Sequence, residues 1–374
     1  MNDNKSESEE IITLDGEYGE GGGQILRTAL ALSMLTKKSF KIVNIRKNRP
    51  NPGLKHQHLA GINALCKISK SVCFGIEIGS QELEFHPSNI EEFKTTIDIE
   101  TAGPITLVLQ SIMLPLMFEK KDSRIKLIGG TNVNWSPSID YFKEIILPQL
   151  TRFAEISIKI KRRGYYPKGE GKVEIIIKPK FNDENFEDLL KKVKENVKPF
   201  ELTNQGKLLF IKGVSHATKD LLEADVCERQ KKAARNMLNK INAPIMIKTE
   251  YVDASNTGSD ITLYAGFSDS INEELDKINP VILGSESIGE KGKRSEIVGE
   301  EAAKKLFNEI NNKSCVDVHL ADNLLPFLAI SNGVIKTSEI TEHIKSNIYV
   351  IGKFLNVKFV IDEKNKMISV KHTI

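Results

Sequence analysis

Asp15-Gly16-Glu17-Tyr18-Gly19-Glu20-Gly21-Gly22-Gly23-Gln24-Ile25-Leu26-Arg27 sets a glycine cluster directly against an apolar helical run, Ile25 to Leu35. Three consecutive glycines strip the loop of side chains, so its backbone N–H groups can come close to an anion. The positive end of the helix that follows favours negative charge at the same place. A second stretch, Arg46-Lys47-Asn48-Arg49-Pro50-Asn51-Pro52-Gly53-Leu54-Lys55-His56-Gln57-His58, adds Arg46, Lys47, Arg49 and Lys55 with two histidines. Side by side, the two stretches read as a phosphate-handling surface. The glycine cluster is not a Walker loop, because no Gly-Lys-Ser/Thr ends it. Nor is it a dinucleotide fingerprint, since Gly19-Glu20-Gly21 lacks a convincing preceding strand-and-acid context.

The pattern that decides the fold recurs. A small-residue turn leads into an apolar helix at Gly21 to Leu35, at Thr101 to Phe118 and at Leu320 to Ile330. Alternating strand patterns lie between, at Phe40 to Ile45, Ile125 to Ile128, Ile156 to Ile160, Val173 to Ile177 and Val357 to Val370. Such repetition suggests three similar α/β units. The first two run to about residue 180, and the third follows a long interruption. Phe181 to Pro199 is charged and helix-like, with the composition of a linker. Residues 184–280 then carry a strand–helix–strand pattern of their own, Leu208 to Lys212, Ala224 to Ile241, Ile245 to Tyr251 and Ile261 to Phe267, as in a small inserted α/β domain. Gly284 to Lys293 is expected to return the chain to the large domain, made of residues 11–183 and 281–374, and a helix from about Glu296 to Asn311 follows. Residues 1–10 are polar and acidic, as in a disordered tail.

Bulk properties exclude several classes. The 374 residues exceed the usual size of one core. A hydrophobic share of 40% with 28% charged residues is ordinary for a soluble protein, and a net charge of +3 does not by itself argue for nucleic acid. RNA contact would have to come from local clusters, Arg46 to Lys55 or Lys159 to Lys172. The cysteines, Cys66, Cys73, Cys227 and Cys315, lack metal-ligand spacing. With no signal peptide and no bilayer-length apolar run, the chain reads as cytoplasmic and reduced, with no membrane partner.

Taken in register, the two opening motifs resemble those of the RNA 3′-terminal phosphate cyclases. The resemblance continues through Thr101-Ala102-Gly103-Pro104-Ile105-Thr106-Leu107-Val108-Leu109-Gln110, Gly129-Gly130-Thr131-Asn132, Arg163-Gly164-Tyr165-Tyr166-Pro167-Lys168-Gly169, His319-Leu320-Ala321-Asp322 and Glu342-His343-Ile344-Lys345-Ser346-Asn347-Ile348. It implies a large domain of three βαβαββ units with a smaller inserted α/β domain. It also implies a ligase that converts an RNA 3′-terminal phosphate to a 2′,3′-cyclic phosphodiester, consuming ATP through a covalent histidyl-AMP, with a divalent Mg or Mn ion. His343 matches the family's nucleophile, and an imidazole with an ordinary pKa near ~6.5 is largely free base at neutral pH.

The other expected roles follow residue by residue. Gln110 matches a glutamine of the ATP site, and His319, Leu320, Ala321, Asp322 and Asn323 match the nucleotide loop, where family members more commonly carry glutamine at position 323. Asp322 can also be read as the N-cap of a helix starting at Asn323 or Leu324. Arg27, Arg46 and Arg49 offer forked donors for phosphate, and Gln57 and His58 add neutral donors. Glu20 is the expected metal ligand. Glu170 sets a negative charge beside Lys161-Arg162-Arg163, which are therefore not placed in the site, and His216 is read as structural. The competing class is a non-catalytic relative that binds RNA and protein in ribosome assembly, which would not be expected to keep His343. An enolpyruvyl-transferase-like enzyme shares the βαβαββ unit but has no need of the His343 segment. RNA with a 3′-terminal phosphate is the expected partner, and a homo-oligomer is left open.

Overall fold

The computed structural model describes residues 11–268 and 274–372, so the expected tail over residues 1–10 lies outside the described residues. The first unit runs β1 (Ile12–Asp15), α1 (Gly23–Thr36), β2 (Phe40–Val43), α2 (His56–Ile68), β3 (Val72–Phe74) and β4 (Leu83–His86). Its sheet has the order β1-β2-β4-β3, with β1 and β2 parallel and the other pairs antiparallel. The second unit repeats that order. β5 (Lys94–Asp98), α3 (Ile105–Leu116) and β6 (Ser123–Gly129) come first. Next, α4 (Ile139–Tyr141) passes through a π-helical turn, Phe142–Ile146, into α5 (Leu147–Leu150). β7 (Ala154–Arg162) and β8 (Gly171–Pro179) complete a sheet of order β5-β6-β8-β7.

The third unit is interrupted. α6 (Phe186–Asn196) and β9 (Phe200–Leu202) precede an excursion through β10 (Lys207–Thr218), α7 (Val226–Leu238), β11 (Ile245–Val252), β12 (Ser259–Ser268), β13 (Val281–Ile288) and α8 (Ser295–Asn311). The unit then resumes with α9 (Val318–Ser331), β14 (Gly333–Lys336), α10 (Glu342–Phe354), β15 (Val357–Asp362) and β16 (Met367–His372). Because β9 pairs in parallel with β14, the third sheet reads β9-β14-β16-β15, the same order again. The inserted sheet is separate, β11-β10-β12-β13.

Strand pairing draws the limits of the insertion elsewhere than 184–280. Phe200–Leu202 pairs into the third sheet, and Val281–Ile288 does not return the chain to the large domain but pairs with β12 as an edge of the inserted sheet. The insertion therefore falls after Leu202 and before Val318, between the first strand and first helix of the third unit. Phe181 to Pro199 is not a free linker either: α6 packs on α9 and buries Leu189 and Val193.

The first helix of each unit, α1, α3 or α9, is apolar on nearly every side, which is the pattern of a helix enclosed by protein. Ile25, Leu26, Leu30 and Leu32 are at most 1% exposed, as are Val108, Leu109 and Ile112 of α3 and Leu324, Leu325 and Leu328 of α9. α1 packs against α3 and α10, and α10 against α9. Polar residues that interrupt these apolar helices have nowhere to go but toward one another. That sets the position of the site.

Candidate active site

The glycine cluster ends at Gly22, the N-cap of α1, whose backbone is extended and which offers no side-chain hydrogen bond to the helix start. The first N–H groups of α1 thus open onto a cleft of about 830 Å³. A side chain at Gly23 is excluded, because a Cβ there would collide with Nε2 of His58 and lie 2.9 Å from Arg27 Nη1. His58 Nδ1 accepts from the Lys55 N–H at 3.0 Å, so the ring's other nitrogen carries the hydrogen. That Nε2 is buried with no partner in the protein. Burial, with Arg27, Arg46 and Lys55 nearby, pushes the His58 pKa down to about 3, and the ring is neutral. His58 is a single, uncharged donor against the glycine loop.

Side chains from three helices form a chain across the cleft floor. Arg27 of α1 donates from Nε to Gln110 Oε1 at 2.7 Å and from Nη2 to Gln24 Oε1 at 2.7 Å. Gln110 of α3 in turn donates to Asn323 Oδ1 of α9 at 2.9 Å, and Asn323 donates to Asp322 Oδ1 at 3.0 Å. Asn347 of α10 closes the ring, donating to the Asp322 carbonyl at 3.0 Å and accepting from Thr28 and Gln24. Burial lowers the Arg27 pKa to about 10, although Asp322 opposes the shift. Burial likewise pushes Asp322 up to about 7, against the pull of Arg27 and with a further push from Asp317.

His343 stands at the second position of α10, which Thr341 caps by accepting the Ile344 N–H at 3.3 Å. Its Nε2 lies 3.5 Å from Glu20 Oε2, and Arg49 Nη2 lies 2.8 Å from the same oxygen. Burial lowers the His343 pKa; Glu20 works the other way, while Arg27, Arg49 and His319 add to the lowering. The positive end of α10 acts in the same sense. The imidazole is a free base at neutral pH, half-exposed beside the glycine loop, with two arginines in reach of any phosphate it meets.

Glu20, Arg27, Arg46, Arg49, Gln57, His58, Gln110, His319, Asp322, Asn323 and His343 all line this one cleft. Arg46 is partly committed to its own loop, donating from Nη1 to the carbonyls of Asn51 and Gly53. Leu320 and Ala321 do not reach the cleft: both are fully buried in the apolar core, the inward face of α9. The N-cap of that helix is Asp317, which accepts from the N–H groups of His319 and Leu320 at 3.0 Å, so Asp322 lies inside the helix and lines the cleft instead. Gln24, Thr28 and Asn347 were not expected; for Gln24 and Thr28 the signal was a polar residue inside an otherwise apolar helix. The wall formed by residues 134–137 and by Glu286 and Glu290 was equally unforeseen. The basic run near Lys159 lines a different groove of about 990 Å³, between β7 and the inserted sheet.

Among the described residues the one cluster of three potential metal-ligating side chains is Asp140, His216 and Asp260, outside the cleft. Within the cleft, Glu20 sets a carboxylate oxygen 3.5 Å from His343 Nε2. No helix among the described residues is long and apolar enough to cross a membrane.

A family model described as RNA 3′-terminal phosphate cyclase matches residues 18–361. The chain is 43% identical to the RNA 3′-terminal phosphate cyclase of Pyrococcus abyssi over 94% of its own length and 95% of that relative's. It is 41% identical to the Archaeoglobus fulgidus protein of the same name, over 96% and 99% of the two chains. The corresponding protein of Saccharolobus solfataricus is 42% identical over 95% and 97%. Three repeated βαβαββ sheets, a cleft gathering most of the expected residues and relatives matched end to end lead to one conclusion: the chain belongs to the RNA 3′-terminal phosphate cyclase family.

Proposed function

We propose that the protein converts the 3′-terminal phosphate of RNA to a 2′,3′-cyclic phosphodiester at the expense of ATP, with His343 as the covalent nucleophile. The observation that supports this reading is the placement of the His343 imidazole beside Glu20, Arg49 and the open N-terminus of α1. His343 attacks the α-phosphorus of ATP, a N–P bond forms, and pyrophosphate leaves. A terminal phosphate oxygen of the RNA then attacks the same phosphorus, and the histidine leaves as neutral imidazole once protonated. Finally the neighbouring ribose 2′-oxygen attacks the terminal phosphorus, losing its proton, and AMP is expelled as the ring closes. In each step charge moves among phosphate oxygens, so positioning and cationic stabilisation supply most of the acceleration.

The residues divide this work by their placement. The N–H groups at Gly23 and Gln24 and the Arg49 guanidinium face phosphate oxygens near His343. Arg27 is fixed by Gln110 and Gln24 and needs no reorganisation when charge develops. Asp322 and Asn323 present an acceptor and an amide suited to a ribose or a base edge. A divalent ion fits Glu20 as a single carboxylate ligand that would exchange Arg49 for the metal, the remaining ligands being water and phosphate oxygens. Such an ion would neutralise charge on the leaving pyrophosphate.

The test is incubation with α-labelled ATP and Mg or Mn without RNA, followed by denaturing electrophoresis. A label on the protein that is acid-labile, alkali-stable and missing from His343→Ala is expected. A folded wild-type chain that takes up no label with either metal would refute the reading.

A further inference from the structure

Trp135 is the chain's one tryptophan, and it is 95% exposed. Its backbone has φ of 71°, the left-handed region that bulky side chains rarely adopt. The segment around it is held firmly. Asn134 donates to Glu290 at 3.2 Å, Ser136 donates to the Val133 carbonyl at 3.3 Å, and the Pro137 carbonyl accepts from Thr106 at 2.7 Å. The Ser138 N–H meets both oxygens of Glu286, at 3.2 and 3.0 Å. The indole itself makes no hydrogen bond or ring contact among the described residues. A clamped loop thus carries an aromatic plane into water on the lip of the cleft that contains His343.

Two unfavourable features, an exposed indole and an unusual backbone, coincide at one residue beside a phosphate-handling cleft, which is where strain is expected to serve a ligand. The same wall carries Lys293, paired with Glu301, and Lys305, which donates to the Glu286 carbonyl at 2.9 Å. An aromatic face with cations alongside is the arrangement that holds the end of a single strand, through base stacking without base-specific hydrogen bonds. Gln110 of α3 and His319, Asp322 and Asn323 of α9 line the same cleft and, on the cyclase reading, serve the nucleotide. We infer that Trp135 is a stacking platform for the terminal base of the incoming RNA 3′-phosphate end. This inference rests on the cyclase reading above. Stacking tolerates any base, as suits a catalyst directed at a terminal phosphate and its ribose.

Having one tryptophan makes the test direct. The full-length chain, without ATP, is titrated with a short oligoribonucleotide 3′-phosphate while intrinsic fluorescence and filter retention are both followed. A matched oligonucleotide ending in an abasic ribose 3′-phosphate serves as comparison. The base-ended strand should quench the fluorescence and bind about tenfold more tightly than the abasic one, the loss expected for one stacked base. Trp135→Ala should bring its affinity down to the abasic level, and Trp135→Phe should keep most of it. Equal retention of both strands with unchanged fluorescence would overturn the platform and leave the cyclase reading intact. Quenching by ATP alone would overturn it too, giving the indole to adenine. Retention of neither strand would overturn both the platform and the RNA reading.

Discussion

Asp322 and Arg27 are a carboxyl and a guanidinium that the cleft has moved in opposite directions from their usual proton affinities. Withdrawal from solvent is the first cause for both, and each partly restrains the other. For Asp322 the sign is decisive. Its pKa rises from an ordinary 3.8 to about 7 on folding, so the folded state holds the proton more tightly. Stability must then fall as pH rises from about 4 to about 7 and level off above. Asp322→Asn removes that slope. The variant's gain in urea midpoint over the wild type is expected to grow between pH 4 and pH 7 and stay constant beyond, while its nucleotide labelling falls. A midpoint difference that does not change with pH would mean that Asp322 is ionised throughout.

At the scale of elements, Asp317 holds the N-cap place that was one of two readings of Asp322. Its Oδ1 accepts two N–H groups of α9 and the Tyr141 hydroxyl at 2.5 Å, and its Oδ2 accepts the Gly284 N–H at 2.9 Å. One side chain therefore fixes the start of α9, the short helix α4 and the inserted strand β13. Asp317→Ala is expected to cost about 3 kcal/mol, a lost cap plus orphaned buried donors, measured by equilibrium denaturation. Asp317→Asn should lose less, because an amide oxygen still caps the helix while its NH₂ opposes one former donor. A loss below about 1 kcal/mol for the alanine variant would reduce Asp317 to an ordinary cap.

The same elements show what the sequence could and could not reveal. α1, α3 and α9 were legible because their apolar runs are long and open on small residues. The histidine at the head of α10 and the arginines of the first loop were picked out by the resemblance, and the structure sets them in one cleft. β9 was not, since three residues that complete a sheet through a partner more than a hundred positions away leave no periodic signal. β13 was hidden for a related reason: its pairing with β12 is a fact of topology, and Gly284 within it and Gly289 just beyond it interrupt the strand pattern. Leu320 and Ala321 were assigned to the nucleotide by their place in a motif, yet helical periodicity sends them to the core and only their neighbours to the cleft. Contact with a ligand alternates along a helix as burial does.

Across the whole molecule, the cleft depends on an insertion being held in place, because β13 supplies Glu286 and Ile288 to its wall. A buried ionic network contributes to that hold. His216 of β10 presents Nε2 to Asp260 of β12 at 3.1 Å and to Asp140 of α4 at 3.4 Å, and its Nδ1 meets the Tyr165 hydroxyl at 2.7 Å. Arg163 braces the same Asp140 and reaches Glu250 of β11 at 3.1 Å. Burial and the Arg163 guanidinium oppose a charge on His216, but the carboxylates of Asp260 and Asp140 outweigh them and raise its pKa. A raised histidine contributes stability that is fully present below its unfolded value of 6.5 and lost as pH climbs through the folded value. His216→Gln keeps the size and one donor but cannot carry the charge. The deficit in unfolding free energy of this variant should therefore be largest near pH 6 and shrink steadily toward pH 8.5, read from urea transitions at each pH. A deficit equal at both ends would show that the ring is neutral and that packing alone seats the inserted sheet. A deficit that shrinks as expected would instead tie the seating of the cleft's far wall to a single proton, buried between the insertion and the second repeat.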